Sequence, residues 1–222
     1  TYRVWKSEKS YNSDIGVPLT ILGCRNAWGN PLLWLKNFVD GIALIILPNA
    51  YPEWLVLEVG ADRPGDIKNI VAWLSPDISV FTAIGTMPVH IEFFSSFEQL
   101  VEEKSWLGRG LRKGGTMILN VDDVAVHRMK LLTSEKVIAY GFGEYANVMA
   151  SHDRIVYRHG EKSIIPEGSV FKLSYLGNII PVRIPEVFSR HQIYAILAAF
   201  TVGISLDMNI LDIAESLGNY VT

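Results

Sequence analysis

A chain of 222 residues, 49% hydrophobic and 19% charged, carries enough apolar material for one full core, with or without a small appendage. Its formal net charge of −3 leaves no basic footprint, which excludes nucleic acid as a partner on electrostatic grounds. The single Cys24 excludes an internal disulfide and suits a reducing compartment.

In chain order, RVWK (3–6) predicts a short strand and SYNSDIGVP (10–18) a loop. LTILG (19–23) predicts the start of a helix that the cluster GCRNAWGNP interrupts, and LLWLKNFV (32–39) predicts a helix from apolar residues three and four apart. ALIIL (43–47) and WLVLEV (54–59) predict buried strands, because parallel strands covered on both faces carry such Val, Ile and Leu runs. IKNIVAWL (67–74) supplies a crossover helix to the strand ISVFTAIG (78–85). FEQLVEEKSWLGRGL (97–111) supplies the next helix, before the strand TMILNV (116–121). This alternation predicts an α/β fold with a doubly wound, mostly parallel sheet.

The pattern changes near residue 135. KVIAYGF (136–142) reads as one more strand, whereas residues 150–187 hold short β-rich runs separated by HGE, PEG and LGN turns, which predict a small antiparallel subdomain. RHQIYAILAAFTVGISL (190–206) then reads as a buried helix, and MNILDIAESLGN (208–219) as a shorter one ended by Gly218. No secretory signal is visible. The apolar stretch over residues 41–60 is broken by Pro48 and Pro52, and that over 193–206 falls short of the roughly 20 residues a spanning helix needs. Both read as core, so no membrane insertion is expected.

The segment WLVLEVGADRPGDI (54–67) ends an apolar run abruptly in Glu58, Gly60 and a polar Gly/Pro turn. A carboxylate at the carboxyl end of a buried strand lies where open α/β sheets hold ligands, which points to a metal or phosphate site. A cap for the following helix fits the same spacing. The strand ISVFTAIG also runs into a polar segment, carrying His90, and Lys104 follows on the next helix. Glu58, His90 and Lys104 are expected to converge on one sheet edge. By spacing alone, a hydrogen-bonded loop histidine is the better reading of His90, and a solvated helix lysine after Glu102 and Glu103 is the better reading of Lys104. Asn12, Ser13 and Asp14 are ordinary loop residues by composition, and His191 with Gln192 form a polar helix start. Asn120, Asp122 and Asp123 form a strand-end turn assigned to architecture. The cluster GRGLRKGGT (108–116) lacks the G-x-x-x-x-G-K-S/T spacing that cradles phosphates and reads as a turn.

Five blocks, in order, carry a resemblance. They are YNSDIGVPLTIL (11–22), VLEVGADRPGDI (56–67), ISVFTAIGTMPVHIEFFSSFEQLVEEK (78–104), GGTMILNVDD (114–123) and SRHQIYAILAA (189–199). Together they resemble the central domain of the Mur ligases, and the first block is most similar to the MurF type, which adds D-alanyl-D-alanine to UDP-MurNAc-tripeptide. The resemblance implies a P-loop-NTPase-like fold, ATP and Mg2+ as cofactors, UDP-MurNAc-peptide and D-alanyl-D-alanine as partners, and a cytoplasmic setting.

It also implies roles. Glu58 and His90 become magnesium ligands, and Lys104 becomes a carbamylated lysine that helps hold a second magnesium, a modification that needs the neutral amine. His191 and Gln192 fall near the adenine, and Asn12 and Ser13 fall in the loop that faces the UDP-sugar. The chain departs from the family pattern at Ala83, Gln192 and Ala195, where asparagines are usual; glutamine keeps an amide and alanine does not. The family's phosphate loop, N-terminal UDP-binding domain and C-terminal domain are not within these 222 residues. The expectation is therefore an incomplete central domain of a longer parent, without appreciable ligase activity by itself. Two rivals stand beside it: a related ATP-dependent ligase for another amino acid or dipeptide, and a non-catalytic binding or scaffold module.

Overall fold

Residues 2–7, 10–85, 91–159 and 163–219 are described by the computed structural model. The chain falls into two units, residues 1–73 with 90–106 and residues 74–89 with 107–222.

In the first unit, β1 (Val4–Lys6) pairs in parallel with β2 (Trp54–Val56), in the register Val4 to Trp54. Two helices lie between them in the chain. The first, α1 (Gly16–Leu22), buries Val17, Leu19 and Thr20 and stops at Gly23, whose φ of 65° supplies a left-handed cap. The second, α2 (Pro31–Ile46), starts on Asn30, whose side chain accepts from the N–H groups of Leu32 and Leu33, and Pro31 occupies the first helical position. Pro48 follows shortly after the helix ends, where the residue before a proline disfavours the helical region.

The expected strand ALIIL is thus mostly the last turn of α2. The three-and-four spacing begun at Leu32 runs on to Ile46, and a short apolar run by itself does not separate strand from helix. Nor is it core, since Ile45 is 83% exposed. Most of α3 (Asp66–Leu74) and α4 (Phe97–Arg109) also belongs to this unit, with Ile67, Ile70 and Val71 buried on α3 and Leu100 on α4.

The second unit is built on a six-stranded sheet in the order β3 (Ile78–Phe81), β4 (Thr116–Asn120), β5 (Lys136–Gly141), β6 (Val148–His159), β7 (Ile164–Tyr175) and β8 (Asn178–Pro185). The first three strands run parallel, and β6 joins β5 in parallel at Tyr140 to Val148 before turning into an antiparallel meander with β7 and β8. The antiparallel strands expected after residue 150 are therefore hydrogen-bonded onto the main sheet. All five residues of β4 are buried, which is why its sequence is continuously apolar between Thr116 and Asn120. The short helix α5 (Val124–Arg128) follows β4.

Helix α6 (Arg190–Ser205) packs across β4, β5 and β6, and α7 (Ile210–Gly218) packs on β8 and α6. Tyr140, Leu173, Leu197 and Phe200 are fully buried in the resulting core. Each such side chain contributes roughly 1.5–3 kcal/mol of transfer free energy. Among the described residues, no helix is long and apolar enough to cross a membrane.

Candidate functional site

Glu58 stands two residues beyond β2, with its side chain exposed. Its Oε1 accepts a long hydrogen bond, 3.4 Å, from Asn12 Nδ2, and the Asn12 carbonyl accepts from Gly60 N–H at 2.9 Å. The approach is close enough that a Cβ on Gly60 would lie 2.9 Å from Asn12 Nδ2, so glycine is what lets the two loops meet. The neighbouring Ser13 hydroxyl oxygen accepts from Gly16 N–H at 3.2 Å, at the start of α1. Asn12, Ser13, Gly60, Asp62, Arg63 and Asp66 line a cavity of about 380 Å3 beside Phe93.

The far side of this loop is pinned by carboxylates. Asp66 Oδ2 accepts from the N–H groups of Asp62 at 3.0 Å and Arg63 at 2.8 Å. Glu103, only 5% exposed, accepts from Gly65 N–H at 2.8 Å, Ile67 N–H at 2.7 Å and Lys68 N–H at 3.2 Å. Three backbone donors at a helix N-terminus satisfy a buried carboxylate that would otherwise be strongly destabilising. Reading the sequence missed Glu103, although it lies three residues after Leu100 on the buried face of α4. Lys104 is the next residue of that helix; it is half-buried, and burial pulls its ammonium pKa below the ordinary lysine value.

The second unit holds its strand-end turn differently. Asp122 accepts from Phe142 N–H at 2.6 Å, Gly143 N–H at 2.9 Å and the Tyr194 hydroxyl at 2.9 Å. Burial, followed by this bond to Asp122, pushes the Tyr194 phenol up to about 12. Asp123 caps α5 through the N–H groups of Ala125 and Val126, and also accepts from Ile84 and Gly85. At the start of α6, Gln192 Oε1 accepts from Phe188 N–H at 2.9 Å and the Ser189 hydroxyl at 3.2 Å. Ser189 in turn accepts from Gln192 N–H, so the two side chains cap the helix reciprocally, with Gln192 reaching the N–H one residue before the cap. Arg190 makes a bidentate pair with Asp153 at 2.8 and 2.9 Å and lies over the Phe142 ring, while His191 is exposed.

Residues 41–203 match the family described as the Mur ligase middle domain. The chain belongs to the Mur ligase family. It is 25% identical over 213 residues to the UDP-N-acetylmuramoyl-tripeptide--D-alanyl-D-alanine ligase of Mycobacterium leprae, a match covering 94% of this chain and 36% of that protein. It is 32% identical over 147 residues to the diaminopimelate-adding ligase of Chlamydia caviae, covering 66% of this chain and 28% of the relative. Among solved structures, MurF from Acinetobacter baumannii superposes with a TM-score of 0.75 at 19% identity, covering all of this chain and 41% of that one. MurF from Thermotoga maritima, in complex with ADP, gives 0.68 at 20% identity, covering 96% and 42%. The chain thus spans about two-fifths or less of these four relatives, and its resemblance is to the MurF type.

Within this Mur ligase domain, Asn12 and Ser13 line one cavity, Glu58 is joined to it through Asn12, and Lys104 follows directly on the residue that pins the cavity's loop. His90 lies outside the described residues. Among those that are described, no three His, Cys, Asp or Glu side chains gather into a metal cluster. His191 and Gln192 belong to the other unit, and the Gln192 carbonyl oxygen is engaged in the cap.

Proposed function

We propose that this chain is the middle domain of an ATP- and magnesium-dependent ligase that joins D-alanyl-D-alanine to UDP-MurNAc-tripeptide through an acyl phosphate. The observation that carries the reading is the pairing of Asn12 with Glu58 on a loop tied to the Lys104 helix by Glu103. The donor chemistry suits the metal: Glu58 offers hard carboxylate oxygens, and Lys104, with its lowered pKa, is suited to carbamylation.

Glu58, His90 and carbamylated Lys104 would hold magnesium, which when bound neutralises charge on the transferring phosphoryl group. The chain's own residues do the rest. Asn12 donates to one oxygen of Glu58 and orients the carboxylate. The neutral Lys104 amine adds through its lone pair to the carbon of CO2, loses a proton to water and becomes a carbamate anion with two oxygen donors. Glu103 ties Gly65 and the first turn of α3 to α4. In this reading Asn12 and Ser13 meet the UDP-linked substrate, and His191 with Gln192 the nucleotide.

The test is phosphate release by the full-length protein with Mg-ATP, UDP-MurNAc-tripeptide and D-alanyl-D-alanine. Glu58→Ala is expected to lower the rate about a hundredfold or more, the scale of losing a group that holds a catalytic charge. Replacing the dipeptide by single amino acids separates the related ligases. A non-catalytic binding module is the second reading, favoured by the engagement of Gln192 in its own helix cap. It is the one that survives if no amine stimulates release.

A further inference from the structure

The cavity beside Glu58 holds opposite charges that leave each other alone. Arg63 and Asp14 both line it, and among the described residues neither side chain makes a hydrogen bond or an ion pair. Asp66 lines it too, but its Oδ2 is spent on the N–H groups of Asp62 and Arg63 rather than on the guanidinium. Ser13 accepts from Gly16 N–H, which leaves its hydroxyl proton to donate. The cavity's volume, about 380 Å3, lies at the low end of small-molecule sites and suits one amino-acid side chain better than a nucleotide. Glu58 does not line it, so holding magnesium does not account for it. It is nonetheless adjacent, since Gly60 lines the cavity two residues after Glu58 and Asn12 lines it while donating to Glu58.

In the functional reading above, on which this inference rests, the carboxyl that becomes the acyl phosphate belongs to the third residue of the acceptor peptide. The side chain of that residue therefore lies beside the magnesium ligands, where this cavity is. We propose that the cavity receives the end of that side chain and selects one carrying both an ammonium and a carboxylate, as diaminopimelate does, over one carrying an ammonium alone, as lysine does. Arg63 takes the carboxylate, for which its planar fork is suited. Asp14 and Asp66 Oδ1 take the ammonium, and Phe93 is the apolar wall for the methylene groups between them. The charges discriminate. Asp14, Asp62 and Asp66 against one guanidinium repel a phosphate, so a purely anionic ligand is disfavoured. A lone ammonium displaces water from Arg63 without pairing it, and a site built to pair with a group rejects the analogue that lacks it.

The test is steady-state phosphate release by the full-length protein with Mg-ATP and D-alanyl-D-alanine, using UDP-MurNAc-tripeptide with either meso-diaminopimelate or lysine at its third position. The diaminopimelate peptide is expected to show a kcat/KM about tenfold to a hundredfold higher, mostly through KM, the range of one charge-assisted bond. Arg63→Gln, at an exposed position, is expected to remove that preference while changing the lysine peptide by less than about threefold, and Arg63→Lys to restore part of it. Should Arg63→Gln fail to fold, the peptide is changed instead. Converting the distal carboxylate of diaminopimelate to a carboxamide is expected to lose the same factor with the wild-type protein. Equal kcat/KM for the two peptides, an equal loss on both in Arg63→Gln, or indifference to the carboxamide overturns the proposal and leaves the ligase reading standing. Release with neither peptide overturns that reading and the proposal with it.

Discussion

The two units of this Mur ligase domain are held in different ways. In the second, long strands and α6 share a continuous apolar core, with Tyr140, Leu173, Leu197 and Phe200 fully buried. In the first, β1 and β2 are three residues long, and the loops around Glu58 are set by single polar side chains: Asn12, Asp66 and Glu103. Burial of apolar area is non-directional and distributes stability over many residues. A carboxylate that gathers several backbone N–H groups fixes one loop in one geometry, which is what a ligand-facing segment requires.

Substitutions at three positions break or sharpen this contrast. The largest effect is expected for Phe200→Ala in the second unit, about 3–5 kcal/mol of stability lost in urea unfolding, because a cavity opens where the core does not collapse. A loss below about 1 kcal/mol would show that the core is not shared as described.

Next is Glu103→Ala, expected to cost about 2–3 kcal/mol and to speed hydrogen exchange at Gly65, Ile67 and Lys68, the three amides it accepts from. Glu103→Gln, keeping one acceptor oxygen, is expected to restore part of that protection. Uniform exchange across both units in the alanine variant would remove the local-staple reading.

The smallest effect is expected at Asp123, where Asp123→Asn should lose about 1–2 kcal/mol near neutral pH, since it disturbs a cap and two further acceptor contacts. Burial pushes this carboxyl up, but hydrogen bonds from Gly85, Val126, Ile84 and Ala125 hold it net below its ordinary value. The folded state therefore favours the carboxylate. That stability is present above the unfolded value, about pH 4, and is lost as pH falls through the lower folded value. Wild type and variant should converge in acid-unfolding curves. A gap that persists at low pH would refute the assignment.

Much of the second unit was legible from residue pattern. The continuous apolar run of β4 and the turn around residue 177 announced their elements, because a buried strand and a tight turn have local signatures, whereas the turn expected at Pro166–Gly168 is part of the continuous strand β7 and that at 159–161 falls mostly outside the described residues. The first unit was less so. ALIIL satisfied a strand's composition as well as a helix's, and the decision fell to Asn30 and Pro31, which start a helix long enough to absorb it. At the site, Glu58 and Lys104 stood out through the blocks that resemble the family, whereas Glu103 did not, since a glutamate among Glu102 and Lys104 looks like a solvated face.

Periodicity and capping residues by themselves determined most of the alternation of elements and the helix starts at Asn30 and Ser189, because each depends on residues close together in the chain, while five ordered blocks carried the resemblance to the family. Tertiary structure alone decided that Asn12 meets Glu58 across 46 positions and that Glu103 is buried on amides 35 to 38 positions away. It alone also left Phe38 and Ile45 of α2 exposed. A carboxylate's burial and a side chain's exposure depend on which distant groups arrive beside them, and no local pattern encodes that arrival.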